Sequence, residues 1–379
     1  MFWGHKSIKN VYLPDGIVKI WDSAFAWCEK LQHIRIPEGI NEIPRRMFSG
    51  CKALINIKLP NSIKKIGEYA FSSCYKLQNI NLPNCITEIP EGMLDGCKSI
   101  QELEIPEGIQ KIGADAFCGC QKLQHIKIPN SIIEIPKALF CGCQSLQSIN
   151  LPDGINKIGE YAFADCYKLQ YIRIPEGVTE IPKSMMAGCR ALKNIDLSNG
   201  IKKIGEDVFY NCSKLQQVKI PISITEIPRG MFSHCISIQK INIPECIREI
   251  GNSAFSVCEK MQYIELPNGI QKIGDYAFES CSNLRYIKLP SGITEISNGM
   301  FRNCSKLQEI NLPNNIKRIG DSAFWQCFSL KKVFIPAEII EISKEAFFNC
   351  VQLHDIILPD TVTNIGNNAF EYCQSLQSI

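Results

Sequence analysis

Two Cys-Gly-Cys triplets, Cys118-Gly119-Cys120 and Cys141-Gly142-Cys143, follow one another closely in a chain with twenty cysteines and five histidines. Closely spaced thiolates are ligands of structural zinc, and two thiols brought side by side can oxidise to a disulfide. Both chemistries stay open at this pair of triplets. The Cys-x-Cys spacing is unusual for zinc, however, and Cys120 and Cys143 belong to a series expected to face a core, so no metal is expected. The histidines, His5, His33, His125, His234 and His354, are scattered and lack a matching Ser, Cys or carboxylate constellation. No phosphate-cradling glycine loop, nucleophile elbow or two-histidine metal motif occurs. The chain is therefore not expected to be an enzyme, and no cofactor is implied.

What positions these cysteines is a repeat. Cys28, Cys51, Cys74, Cys97, Cys120 and Cys143 recur at a constant interval, and the series continues without an insertion to Cys373. Sixteen cysteines mark about sixteen repeats of the form C-x-x-L-x-x-I-x-[IL]-P-x-x-I-x-x-I-[GP]-x-x-A-F-x-x. With 45% hydrophobic and 21% charged residues and no Gly- or Ser-rich linker, residues 1–379 are expected to make one domain.

Leu, Ile and Ile/Leu at the fourth, seventh and ninth places form a short period-2 stretch, the mark of a strand with one buried face. The later Ile, Ile, Ala-Phe series is too irregular for a long helix and suits a compact arc that returns the chain. One repeat cannot bury these residues alone, so neighbours must stack, parallel strand beside parallel strand at roughly 4.8 Å per step. Fifteen prolines, from Pro14 to Pro359, follow the strand and should end its ladder, because proline has no amide to donate. The other five, Pro44, Pro90, Pro136, Pro182 and Pro228, alternate with Gly67, Gly113, Gly159 and Gly205, giving a 46-residue pair. The preceding-but-one residue alternates too, Lys19, Glu42, Lys65, Glu88, Lys111, Glu134, and stacking would set opposite charges on adjacent rungs. That alternation slips at Glu226 followed by Glu249.

The column cysteines read as reduced, buried structural thiols, with pairing between neighbours as the alternative. Abundant reduced thiol favours a reducing compartment. Cys85 and Cys246 stand where other repeats have Gly or Ser and serve as small residues. A net charge of +3 spread along the chain gives no concentrated basic face, so no nucleic-acid partner is expected. No segment is long and apolar enough to insert in a membrane.

Leu77-Gln-Asn-Ile80-Asn-Leu82-Pro83, Ile66-Gly67 and Ala70-Phe71-Ser-Ser-Cys74 resemble the repeat of the BspA-like leucine-rich-repeat proteins, of the 23-residue type. The resemblance covers essentially the whole chain. It implies an α/β leucine-rich-repeat solenoid: a right-handed curved superhelix with one long parallel β-sheet, short strands and an irregular or short-helical convex side. It also implies a microbial surface role, adhesion to or recognition of a host protein or an extracellular-matrix ligand. Without an apolar run of signal-peptide length after Met1, the chain as written is expected to be cytoplasmic, and surface-bound or secreted where the family analogy holds. An intracellular protein-interaction scaffold, or a fragment of a larger repeat protein, is the alternative.

Recognition would fall to the variable residues that alternate with the buried strand Ile and face outward. Aromatic and Arg side chains anchor protein interfaces, which singles out His33, Arg35, His125, Tyr171, Arg173, Tyr263 and Tyr286. Phe334 and Ile357 replace polar residues on the same outer face and suggest a contact there. Met1-Phe2 aligns with the Met-Phe of whole repeats and the chain stops at Ile379 inside a strand, so neither end has a polar cap; end-to-end self-association is the corresponding expectation.

Overall fold

A computed structural model describes residues 2–378. Met1 and Ile379, on which the expectations about the chain ends partly rest, lie outside the described residues. The chain divides into two units, residues 1–191 and 192–379, and each is a parallel β-solenoid built from the same repeated coil. No helix occurs among the described residues, so the returning arc is of the irregular kind.

Most coils open with the expected short strand, as at His33–Arg35 and Asn79–Ile80 in the first unit and Tyr263–Glu265 and Lys332–Phe334 in the second, while the coil around Ile241 has none. Its central Ile or Val is buried and its flanking residues are exposed. Pairing is parallel and joins counterparts in neighbouring coils, Asn56 opposite Asn79 and Tyr263 opposite Tyr286, but in successive two-stranded sheets rather than the one long sheet expected. The proline that follows starts a tight turn: the Pro37 carbonyl accepts from the Ile40 amide at 3.2 Å, and that of Pro129 from Ile132 at 3.1 Å.

The turn delivers the chain to a second, two-residue strand, such as Glu42–Ile43 or Lys65–Ile66, where the sequence shows only a returning arc. Here the alternation of Pro and Gly has a physical cause. The amides of Gly67 and Gly113 donate to the carbonyls of Ile43 and Ile89, both at 2.7 Å, and extend the ladder by a rung. Pro90 and Pro136 have no hydrogen to give. The second ladder of the first unit is accordingly cut into pairs, Glu42–Ile43 with Lys65–Ile66, Glu88–Ile89 with Lys111–Ile112, and Glu134–Ile135 with Lys157–Ile158. After Pro228 no proline occupies this place, and the ladder runs in longer pieces, three strands from Glu226–Ile227 to Lys272–Ile273 and four from Glu295–Ile296 to Asn364–Ile365.

The glycine coil also presses hard on the proline coil before it. A Cβ built on Gly113 would lie 2.7 Å from the Cα of Glu91 and 2.7 Å from the carbonyl carbon of Pro90, too close for any side chain. Pro and Gly are thus two halves of one contact. Charges follow the same rungs: the Lys157 amine lies 2.7 Å from Glu134, and Arg318 lies 3.6 Å from Glu295 and 3.4 Å from Glu341. At the slip, Glu226 stands opposite Glu249 on the ladder, and Glu249 pairs instead with Lys272 at 2.7 Å. These pairs are solvent-exposed and set register more than stability.

The arc satisfies its backbone in two directions. Around Phe71, the amides of Tyr69, Phe71 and Ser73 donate to the next coil at the carbonyls of Glu91, Met93 and Asp95, at 2.6–3.0 Å. The alternate amides of Ala70, Ser72 and Cys74 close turns within the coil on Gly67, Tyr69 and Phe71. A helix would consume these donors internally; stacked turns share them between coils. The geometry needs left-handed backbone at two places in each arc, filled by ordinary residues such as Tyr69 (φ 54°) and Ser73 (φ 57°). The inter-coil bonds hold them in a conformation that L-residues otherwise avoid.

Inside, the repeat places become columns. Fully buried phenylalanines stack at ring-centroid distances of 5.5–5.9 Å through Phe25, Phe48 and Phe71, and at 5.7 Å through Phe117, Phe140 and Phe163, with Leu94 between the two runs. The second unit repeats this from Phe209 to Phe347, and the stack continues to a half-buried Phe370.

Candidate functional site

The outer face of the first ladder carries the side chains that the core does not use. In the first unit His33, Arg35, His125, Tyr171 and Arg173 are all exposed there, and in the second so are Tyr263, Tyr286 and Phe334. They fall into clusters. Tyr263 and Tyr286 are opposite each other on neighbouring strands, and the Lys240 amine sits 5.4 Å from the Tyr263 ring. Tyr171 and Arg173 flank the buried Ile172 of one coil, as His33 and Arg35 flank Ile34. His125 lies two coils from Tyr171, about 10 Å at the strand spacing, and Phe334 two coils from Tyr286.

Ion pairs temper two of these residues. Arg35 holds Asp15 at 2.6 Å and Arg173 holds Asp153 at 2.9 Å, each acid standing in the turn of the preceding coil. Such exposed pairs break at little expense, so both guanidinium groups can be re-paired by a partner. Phe334 is capped by the Lys332 amine at 4.6 Å and, with Ile357, lines a shallow pocket of about 510 Å³.

Sequence reasoning missed Tyr12, which stands opposite Arg35 on the same face and is 76% exposed. Its signal was its place in the repeat, the same as that of Arg35 one coil later. A second groove, of about 880 Å³, follows the second ladder of the first unit. Its walls are paired charges, Lys65 with Glu42 at 3.2 Å and Arg45 with Glu68 at 3.3 Å, with the Tyr69 hydroxyl bonded to Glu91. They present neither a nucleophile nor a histidine.

The column thiols are structural donors. Cys51 donates to the carbonyl of Phe25 at 3.2 Å and Cys143 to that of Phe117 at 3.2 Å, and the pattern recurs up to Cys373 on Phe347. Burial pushes the Cys281 thiol up to about 12 and that of Cys373 to about 11, and raises those of Cys51, Cys120 and Cys143, so these stay protonated and inert. Cys85 donates to the Ile63 carbonyl at 2.9 Å, as the Ser62 hydroxyl does to Ile40 at 2.6 Å one coil earlier. Cys120 also points inward, to the Leu94 carbonyl at 3.4 Å, so the four sulfurs of the two Cys-Gly-Cys triplets do not converge on one point. Among the described residues no group of three His, Cys, Asp or Glu side chains is disposed to hold a metal, and no helix is long and apolar enough to cross a membrane. The Ser233 hydroxyl lies 2.9 Å from His234 Nδ1, but Ser233 is buried and closed to a substrate.

A sequence profile described as "BspA type Leucine rich repeat region (6 copies)" matches residues 1–124, 110–238, 225–354 and 340–379. The chain belongs to the BspA-type leucine-rich-repeat family. No curated protein matches it at a significant level. Among solved structures it is similar to a leucine-rich repeat protein from Bacteroides ovatus, at 27% identity and a TM-score of 0.70 over 97% of this chain and 86% of that one. It is also similar to a leucine rich cell surface protein from Faecalibacterium prausnitzii, at 26% identity and a TM-score of 0.59 over 74% and 87%. A leucine-rich repeat protein from Eubacterium ventriosum, 17% identical with a TM-score of 0.52 over 98% and 84%, shares the fold. Leucine-rich-repeat families are in general protein-interaction modules and non-catalytic binding scaffolds. BspA-type repeats here supply what that role needs, a scaffold that fixes outward side chains at a constant step.

Proposed function

We propose that this BspA-type protein captures protein ligands on the outer face of its first-ladder strands, anchored in the first unit by Tyr171 and Arg173 with His33, Arg35 and His125 as further contacts, and in the second by Tyr263 and Tyr286 with Phe334. The observation that carries this is the in-register pair Tyr263 and Tyr286, two aromatic rings held outward on adjacent rungs with no part in the core. Tyr offers a large amphipathic surface with little rotamer entropy to lose, which suits an interface anchor. Residues 1–379 act as one repeat domain in this reading, since the constant spacing runs through Cys166, Cys189 and Cys212 without a break.

The ligand we assign is extracellular, a host or matrix protein met at a microbial surface. The cell-surface description of the Faecalibacterium prausnitzii relative supports this. The buried, protonated thiol column favours a second reading, an intracellular scaffold, because it is compatible with a reducing compartment. Surface plasmon resonance on the immobilised chain separates the two. Saturable binding of matrix or host-surface proteins is the expected result. Capture confined to proteins of the producing cell's own cytosol would establish the scaffold reading instead, and binding of neither set would reject both.

A further inference from the structure

Two half-buried thiols stand outside the core column, at the same place in the arcs of neighbouring coils. Around Cys118 and Cys141 these arcs stack in register: the Gly119 amide donates to the Cys141 carbonyl at 2.6 Å, and the Gly96 amide to the Cys118 carbonyl at 2.7 Å. Such stacking sets their Cα atoms roughly 5 Å apart, within the ~4.4–6.8 Å that a disulfide spans. Cys118 and Cys141 thus face each other across adjacent coils, and the Asp95 carboxylate stands at the same place one coil earlier.

The column thiols next door differ in every respect. Cys120 and Cys143 are buried, and each is satisfied by a backbone carbonyl. Burial holds both well above the ordinary thiol range. Cys141 is instead lowered, chiefly because Cys118 donates to it, while that same bond, followed by burial, raises Cys118.

Access comes from the residues that follow. Gly96, Gly119 and Gly142 fill three successive left-handed places, with φ of 72°, 68° and 71°, where other coils carry Trp27, Asp165, His234 or Tyr372. They stack backbone on backbone: a Cβ on Gly142 would touch the Gly119 Cα at 3.5 Å. Three consecutive bare positions leave a shelf beside the two thiols, which no side chain from these places covers.

We propose that Cys118 and Cys141 form a thiol–disulfide exchange site whose oxidant is a small disulfide, closing to a bond that staples two coils. The Cys141 thiolate attacks one sulfur of the small disulfide, forming a mixed disulfide and releasing one small thiolate, which takes a proton from water. Cys118 then gives its proton to Asp95 or water and attacks the Cys141 sulfur, expelling the second small thiol. Two protein thiols are oxidised, and one small disulfide is reduced to two thiols.

The test uses the whole chain carrying Cys85→Ser and Cys246→Ser, since serine already occupies that place at Ser62 and Ser131. The folded protein is treated with oxidised glutathione, quenched with acid, alkylated after denaturation and mapped by mass spectrometry. A crosslinked Cys118–Cys141 peptide with every column cysteine alkylated is expected. With Cys118→Ser added, Cys141 is expected to be trapped as its glutathione mixed disulfide, and with Cys141→Ser added Cys118 likewise, neither variant closing an intramolecular bond. Serine at this place is native at Ser49 and Ser72, so both variants should fold. Recovery of Cys118 and Cys141 as free thiols, or oxidation of column cysteines as fast as this pair, would overturn the proposal.

Discussion

Gly113→Ala is expected to destabilise the protein by about 2–3 kcal/mol, the scale of overpacking a site with no slack. The new methyl group would meet the backbone of Glu91 and Pro90, and neither can withdraw without breaking the bond from the Gly113 amide to Ile89 at 2.7 Å. Gly154→Ala supplies the control. A Cβ there meets nothing within 4 Å, so stability should be unchanged or rise by less than about 1 kcal/mol as the unfolded chain loses freedom. Because repeat arrays unfold segment by segment, hydrogen exchange of the amides around Ile89 and Ile112 is the proper readout beside urea unfolding. Equal stability of the two variants would mean that the coils do not approach as closely as described.

Phe140→Ala should have the larger effect, about 3–5 kcal/mol, as expected for deleting a fully buried ring. Phe140 is sandwiched between Phe117 and Phe163 at 5.7 Å on either side, so its loss opens a void touching three coils. Phe140→Leu should lose considerably less, because the chain already accepts Leu94 at this place between Phe71 and Phe117. Calorimetry on the three proteins would show the order wild type, Leu, Ala. A similar loss for both substitutions would argue that ring stacking, rather than filled volume, holds the column.

Much of this was legible in the sequence because a strict period leaves one way to align buried places. Cys28 to Cys373 defined the stack, and the period-2 stretch around Ile80 located the first strand and its outward residues. The second strand was not legible: Glu42–Ile43 is too short for a period, and its pairing depends on whether the next residue has an amide hydrogen. Nor were the left-handed positions, since Tyr69 and Tyr161 are residues that give no sign of it; the neighbouring coil imposes the conformation. On the candidate face, the positions of Tyr171 and Arg173 followed from alternation alone. The pairing of Arg35 with Asp15 and of Arg173 with Asp153 did not, because each acid comes from the turn of another coil.

A partner seated on the outer face of the first ladder must lose its grip when the anchors there are removed. The decisive comparison is capture of a bound protein by a variant with Tyr171, Arg173, Tyr263 and Tyr286 all replaced by Ala, against one in which Ile133 and Ile340, exposed beside the second ladder, are replaced by Ala. Anchor residues of this kind carry about 1–2 kcal/mol or more each, so the first variant should bind at least about 100-fold more weakly while the second binds as wild type. Unchanged capture by the first variant, or loss by the second alone, would contradict binding on this face and move the interface to the other ladder.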